Sequence, residues 1–325
     1  MKRSLLILIL SVFFVSCTVE PNNNSRTTSS SASPAPSPSA TQATAKAEPS
    51  PSPSASASRE LPAGPNSIPT DTRVVVNIPA FRMDLFKDGS LVKSYKVGIG
   101  TPEFPLPTGM RDADTIIFNP TWTVPDEEWA HEMNNVKVGE TVEAGSKNNP
   151  LGWIKVPIGL PNLIHGGKAP AKIGTFASHG CVGLTNAQIK DFAMRLAEAS
   201  GTDLNETEAD EYIAAKTKTK DVKLKQTVPV ELRYETIVVE DGKLHIYKDV
   251  YKQETNTEEN LRSVLSKNGV NFEELPAQTK AQMLRALKAP KNEVAIAVTA
   301  KGYPAPVELD NGKGKSTRTS ANHSQ

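Results

Sequence analysis

The rhythm of apolar and polar positions changes several times along this chain, and each change marks a separate unit. Residues 5–15 form an apolar run, interrupted only by Ser11, behind Met1, Lys2 and Arg3. A run of this length is too short to span a bilayer and suits the apolar region of a secretory signal. From position 18 to about 70 large apolar side chains almost vanish, as in Ser33-Pro34-Ala35-Pro36-Ser37-Pro38. Burial there cannot offset the entropy of ordering, so 18–70 is predicted to be a disordered, semi-extended linker. From Arg73 the pattern turns to short β-rich runs at 74–78, 81–86, 91–97, 115–118, 136–138 and 163–164. Asp88-Gly89 marks a hairpin turn between two of them.

Helical spacing takes over after Cys181. Thr185 and Gln188 have the spacing of a capping box, and Ile189, Phe192, Ala193, Leu196 and Ala197 share one helical face before Gly201 closes the helix. A weaker helical stretch covers 206–216. Strands are expected again at 229–234, 237–239 and 244–247, with Asp241-Gly242 as a second hairpin turn. Amphipathic helices at 258–267 and 278–288 and a strand at 294–299 follow, and 311–325 reads as a disordered tail. The expected organisation is a signal segment at 1–17, a linker at 18–70, a mainly β domain at 71–252, a small α/β extension at 253–310 and the tail.

Composition narrows the function. With 37 basic and 36 acidic residues in 325, net charge +1, the chain has no surplus for a phosphate backbone, which argues against nucleic-acid binding. Its two cysteines, Cys17 and Cys181, lie in such different contexts that a disulfide between them is not expected. A lone cysteine in an exported protein is open to oxidation, so Cys181 asks for a reason. Nucleophilic catalysis supplies one, because a nearby imidazole can take the thiol's proton. His179 lies beside it in sequence, and His165 ends an apolar run that could form a neighbouring strand. Gly180 and Gly183 leave the backbone bare around the thiol, so N–H groups at and beside Cys181 could approach an oxyanion. Two other readings stay open on these residues: an inert buried cysteine, and a zinc site made from His165, His179 and Cys181. His131 reads as a surface helix residue, and His245 and His323 have no expected role.

The combination of His165-Gly166 with Ser178-His179-Gly180-Cys181 resembles the signature of the L,D-transpeptidases with a YkuD-type catalytic domain. The resemblance continues through Val97-Gly98-Ile99-Gly100, Pro107-Thr108-Gly109, Asn119-Pro120-Thr121-Trp122 and Asn149-Pro150-Leu151-Gly152, and covers about 73–251. It implies a YkuD-like β-sandwich or barrel with one helix after the catalytic cysteine. Cys181 then matches the nucleophile and His165 the general acid/base. The Gly166 carbonyl matches the group that orients the imidazole, and Ser178, His179 and Gly180 shape the oxyanion loop. Trp122 and Trp153 are candidates for the substrate groove. Most members carry Arg two residues after the nucleophile, where this chain has Gly183.

The implied reaction is acyl transfer from a peptidoglycan stem tetrapeptide to an amine, on another stem or on an envelope protein, with hydrolysis as a side activity and no metal or organic cofactor. Phe14-Val15-Ser16-Cys17 resembles a bacterial lipobox, which implies lipidation at Cys17 and a membrane-anchored place in the cell envelope. Thr18 favours the outer membrane in a host with two. A non-catalytic wall-binding relative and a zinc-dependent envelope hydrolase are the alternatives.

Overall fold

The computed structural model describes residues 66–288 and 293–313. The expected signal segment, Cys17, the linker up to position 65, the tail from 314 and His323 all lie outside the described residues.

Val74, Val75 and Val76 are buried in the strand Arg73–Asn77, inside an eight-stranded sheet. From one edge to the other the sheet runs Val182–Gly183, Leu163–His165, Ile154–Pro157, Gly109–Phe118, Lys220–Arg233, Arg73–Asn77, Arg82–Lys87 and Ser90–Lys96. The turn between the last two is the expected hairpin, with Asp88 and Gly89 at φ 50° and 77°. Both central residues of such a two-residue turn need positive φ, which is why Asp-Gly is found there. Lys220–Arg233 is longer than its apolar pattern suggests, because its first half is largely exposed and only the second half faces the core. The strand expected at 136–138 is absent, and the local pairing is instead Trp122–Thr123 with Thr141–Val142.

The helix Asn186–Ala199 packs one face of the sheet. Its capping box forms as expected, with Gln188 N–H donating to Thr185 Oγ1 at 3.2 Å and Thr185 N–H to Gln188 Oε1 at 3.0 Å. Ile189, Phe192, Leu196 and Ala197 are buried in the same core as Val76, Leu85, Phe118 and Val230.

A second core divides the chain differently from the expected boundary at 252. The hairpin Ile237–Glu240 and Lys243–Ile246 pairs with Val294–Ala297, and this small sheet is covered by the helices Glu258–Lys267 and Ala277–Lys288. The hairpin placed by sequence in the catalytic domain therefore belongs with the extension. Val250 and Tyr251 do return to the main core, and Tyr251 Oη donates to Gly100 O at 2.9 Å. The extension then runs back as a strap along the edge strand Ser90–Lys96: Ser94 N–H donates to Val307 O at 2.9 Å and Lys96 N–H to Asp310 O at 2.8 Å. An exposed strand edge invites pairing with other chains, so this strap covers a liability. Its end reaches the capping box, with Gln188 Nε2 donating to Asp310 O at 2.9 Å. Gly312 continues it there, so the strap includes the first residues expected in the tail.

Candidate active site

Cys181 precedes a very short strand, Val182–Gly183, whose position is fixed on both sides. On one side it runs parallel to Leu163–His165, with Val182 opposite Ile164 and Gly183 opposite His165. On the other, Gly183 and Gly98 exchange two backbone hydrogen bonds, each 2.8 Å. Extending the parallel register one step puts Cys181 level with Leu163. Side chains alternate along a strand, so Cys181 and His165 share one face of the sheet. Neighbouring strands thus bring together the two residues singled out from sequence.

His165 is buried at 3% exposure, and its Nδ1 lies 2.8 Å from Gly166 O. A carbonyl oxygen only accepts, so Nδ1 carries the proton and Nε2 presents a lone pair. Burial, assisted by the charge of Lys168, pulls the imidazole pKa down to about 3, against the carbonyls of Gly166 and Leu151. At neutral pH this ring is a neutral base. The Cys181 thiol is pushed above its ordinary value by burial, with a hydrogen bond from the Leu163 backbone and the charge of Lys168 acting in the opposite direction. The resting pair is therefore thiol and neutral imidazole.

The loop before Cys181 is held by Ser178. Its Oγ donates to Cys181 O at 2.6 Å and accepts from Cys181 N–H at 3.0 Å. The Cys181 N–H, expected to face an oxyanion, is thus committed to Ser178. Gly180 has φ +91°, a conformation that side chains rarely adopt, and its carbonyl accepts from Asn162 Nδ2 at 2.6 Å. Gly183 shows no such need: positive φ is found at Gly180 and not at Gly183. The space above Gly183 is taken by the Lys168 side chain. A Cβ there would lie 2.8 Å from Cγ and Cε of Lys168.

An aromatic wall closes another side. His179 stacks on Trp129 with ring centroids 4.0 Å apart and planes 2° from parallel, and the Phe104 ring meets its edge at 5.1 Å. Burial first, then Lys168, lowers the His179 pKa. Trp122 is buried and stacks on the far side of Trp129 at 6.3 Å, so it reaches the site through that ring. Trp153 is exposed at 42%, and its backbone N–H donates to Asn186 Oδ1 at 3.1 Å. The same oxygen accepts from Gly167 N–H at 2.9 Å, tying the turn after His165 to the start of the helix. His131 is exposed beside Asp126, as expected of a surface residue.

Asn162, Trp129, Asn186 and Lys168 were not singled out from sequence. The first three act through contacts made across distant segments. Lys168 stands three residues after His165 in a Gly-Gly-Lys turn, a spacing that could have flagged it. Among the described residues no three His, Cys, Asp or Glu side chains gather as a metal site, so His165, His179 and Cys181 do not form the zinc centre their residue types allow.

Residues 71–222 match the family model described as the L,D-transpeptidase catalytic domain, YkuD. An Escherichia coli (strain K12) protein named "Probable L,D-transpeptidase ErfK/SrfK" is 32% identical over 124 residues, 36% of this chain and 38% of that protein. This chain therefore matches well under half the length of that relative. A Bacillus subtilis (strain 168) relative, also bearing an L,D-transpeptidase name, YqjB, is 28% identical over 134 residues, 39% of this chain and 68% of its own. The solution structure of the catalytic domain of an Enterococcus faecium L,D-transpeptidase superposes with TM-score 0.32 at 17% identity, covering 50% of this chain and 98% of that domain.

Proposed function

We propose that this chain, whose residues 71–222 match the family model of the L,D-transpeptidase catalytic domain, acts in the cell envelope as a peptidoglycan L,D-transpeptidase with Cys181 as nucleophile. The observation that carries the reading is that the strand register puts a partly exposed thiol and a buried, neutral imidazole on one face of the sheet. The donor is a stem tetrapeptide. His165 Nε2 takes the thiol proton as Sγ attacks the carbonyl of the third residue, and the oxyanion forms beside the Gly180 turn. With the Cys181 N–H held by Ser178, a neighbouring backbone N–H of the loop takes this role.

Collapse breaks the C–N bond to the terminal D-alanine, whose nitrogen receives the proton from the imidazolium, and a thioester remains on Sγ. An amine of a second stem or of an envelope protein then attacks the thioester. Its proton passes to Nε2, the C–S bond breaks, and the thiolate is reprotonated. The burial-lowered imidazole pKa makes the imidazolium formed in the first step a strong acid toward the leaving amine and makes the neutral ring a correspondingly weak base toward the thiol. His179 and the wall of Trp129 and Phe104 border the groove. The proposal includes a signal segment at 1–17, lipidation at Cys17 and an anchored, linker-tethered catalytic domain.

Intact-mass analysis with a disaccharide tetrapeptide tests the reading. Wild type is expected to gain a covalent adduct, release D-alanine and form a cross-linked dimer, while Cys181→Ala and Cys181→Ser fold and do none of these. D-alanine release by Cys181→Ala would refute the assignment. A wild type that is alkylated at Cys181 yet never releases D-alanine would identify a wall-binding module instead.

A further inference from the structure

Gly183 lies next to the nucleophile with its α-carbon uncovered by any side chain of its own, yet the space above it is filled. The stem of Lys168 lies there, with Cγ and Cε each 2.8 Å and Cδ 3.3 Å from where a Cβ would project. The backbone holds the lysine in place: Lys168 N–H donates to Leu184 O at 3.0 Å, the next residue along the nucleophile's strand. Gly183 is the cross-strand partner of His165, so this stem crosses the face on which Cys181 and His165 project. Among the described residues, no carboxylate faces the Lys168 ammonium; the charged and titratable groups around it are Cys181, His165, His179 and Lys172. A partly buried cation without a counter-charge is costly, and such a cost is retained where an anion forms during function.

We infer that Lys168 is the cationic positioning residue of the nucleophile, its stem packed on Gly183 so that its ammonium holds the anion that forms on Cys181. The family's Arg, two residues after the nucleophile, would need the volume that this stem occupies. One cation acts with opposite sign on the two partners. It favours the thiolate, and it disfavours the imidazolium and so strengthens that acid toward the leaving amine. Among the described residues, further charge comes from Lys155, acting on His165, and Lys172, acting on Lys168. The catalytic consequence rests on the transpeptidase reading. The effect on the thiol does not.

The test is the pH profile of alkylation by iodoacetamide, a neutral reagent, in the full chain, followed by mass on the peptide carrying Cys181. Lys168→Met keeps an apolar stem and removes the charge. Its midpoint is expected to rise by about one pH unit, with the thiolate fraction at pH 7 about tenfold lower. The observed rate then falls about threefold, because a thiolate of higher pKa is the better nucleophile. Lys168→Arg should retain the wild-type midpoint. The exchange Lys168→Ala with Gly183→Arg should restore it, since the guanidinium then enters the vacated space. A Lys168→Met profile that superimposes on wild type, with thermal melts confirming the fold, overturns the inference. So does a midpoint raised equally in Lys168→Met and in Lys168→Arg, which would assign the effect to packing rather than charge. D-alanine release by wild type is scored separately: its absence removes the transpeptidase reading and leaves the charge assignment standing, and its presence beside superimposable profiles does the reverse.

Discussion

Replacing His165 by Gln should remove one component of the protein's acid sensitivity, and its size follows from burial. The folded-state value of about 3 lies below the roughly 6.5 of an unfolded histidine, so the unfolded chain binds more protons throughout that window. Stability from this residue is fully present above about pH 6.5 and is lost as pH falls toward 3. At pH 5 the unfolded imidazole is almost fully protonated and the buried one is not, and the loss is 1.5 pH units at about 1.4 kcal/mol each, or about 2 kcal/mol. That figure depends on the native value lying well below 5 and not on where it lies below 5. His165→Gln keeps a hydrogen-bonding side chain toward Gly166 O and cannot take up a proton. Groups common to both proteins cancel in the comparison, among them Glu235 and Glu240, whose values are raised by burial and which oppose the histidine. Thermal unfolding of both proteins at pH 8 and pH 5 measures the effect. The wild type should lose about 4–8 °C more than the variant over this interval, at about 2–4 °C per kcal/mol for a chain of this size. Parallel losses would show that the imidazole is not buried in neutral form, and general-base action from a resting neutral ring would fall with it.

Ser178→Ala removes a donor and an acceptor from the nucleophile's own backbone; a loss of about 2 kcal/mol, or about 4–8 °C in Tm, is expected by circular dichroism, and Ser178→Thr should retain most of it. An unchanged Tm in Ser178→Ala would mean that the clamp is not formed. Trp129→Ala uncovers His179, so the histidine's titration, followed by NMR, should move up toward its ordinary value; no movement would show that the stack does not bury it. His165→Ala should abolish thioester formation, while His179→Ala lowers its rate and leaves a measurable adduct by intact mass. An active His165→Ala beside an inactive His179→Ala would reverse the two roles.

What the sequence made legible was whatever is written locally. The capping box needs only Thr185 and Gln188, and the hairpins need only Asp88-Gly89 and Asp241-Gly242, so each appears where its residues predict. That Cys181 and His165 come from neighbouring strands was legible because His165 ends an apolar run, and that run forms the strand beside Val182–Gly183. The strands Ile99–Gly100, Phe176–Ser178 and Val182–Gly183 were not, because two or three residues carry no periodicity. Asn162, which holds the Gly180 carbonyl from 18 residues away, is an ordinary loop residue until that contact exists. The hairpin Ile237–Glu240 and Lys243–Ile246 was legible as strands and not as part of the extension, since its partner Val294–Ala297 lies about fifty residues on. Gly183 was legible as a residue that leaves the backbone bare near the thiol, and the Lys168 stem that lies over it was not.

These contacts divide the site into a rigid side and a yielding one. On the nucleophile's side, Val182–Gly183 is bonded to two neighbours, followed at once by a capped helix, and that cap is tied through Gln188 to Lys96 O and Asp310 O. Displacing Cys181 would break several of these at once, so its backbone should open only with global unfolding. On the aromatic side, Trp129 sits in the single-turn helix Glu128–His131, and the neighbouring sheet is two pairs of residues, Trp122 with Val142 and Thr123 with Thr141. A helix of one turn carries little stability of its own. On the proposed transpeptidase reading, substrate entry is expected to displace the Trp129 segment while the thiol stays in register with His165. Hydrogen exchange distinguishes the two sides: the Gly183 amide should exchange at the rate of the slowest core amides, and Ala130 and Val124 orders of magnitude faster. Comparable protection at all three would mean that the aromatic wall is as fixed as the nucleophile, and that the groove is already shaped before substrate arrives.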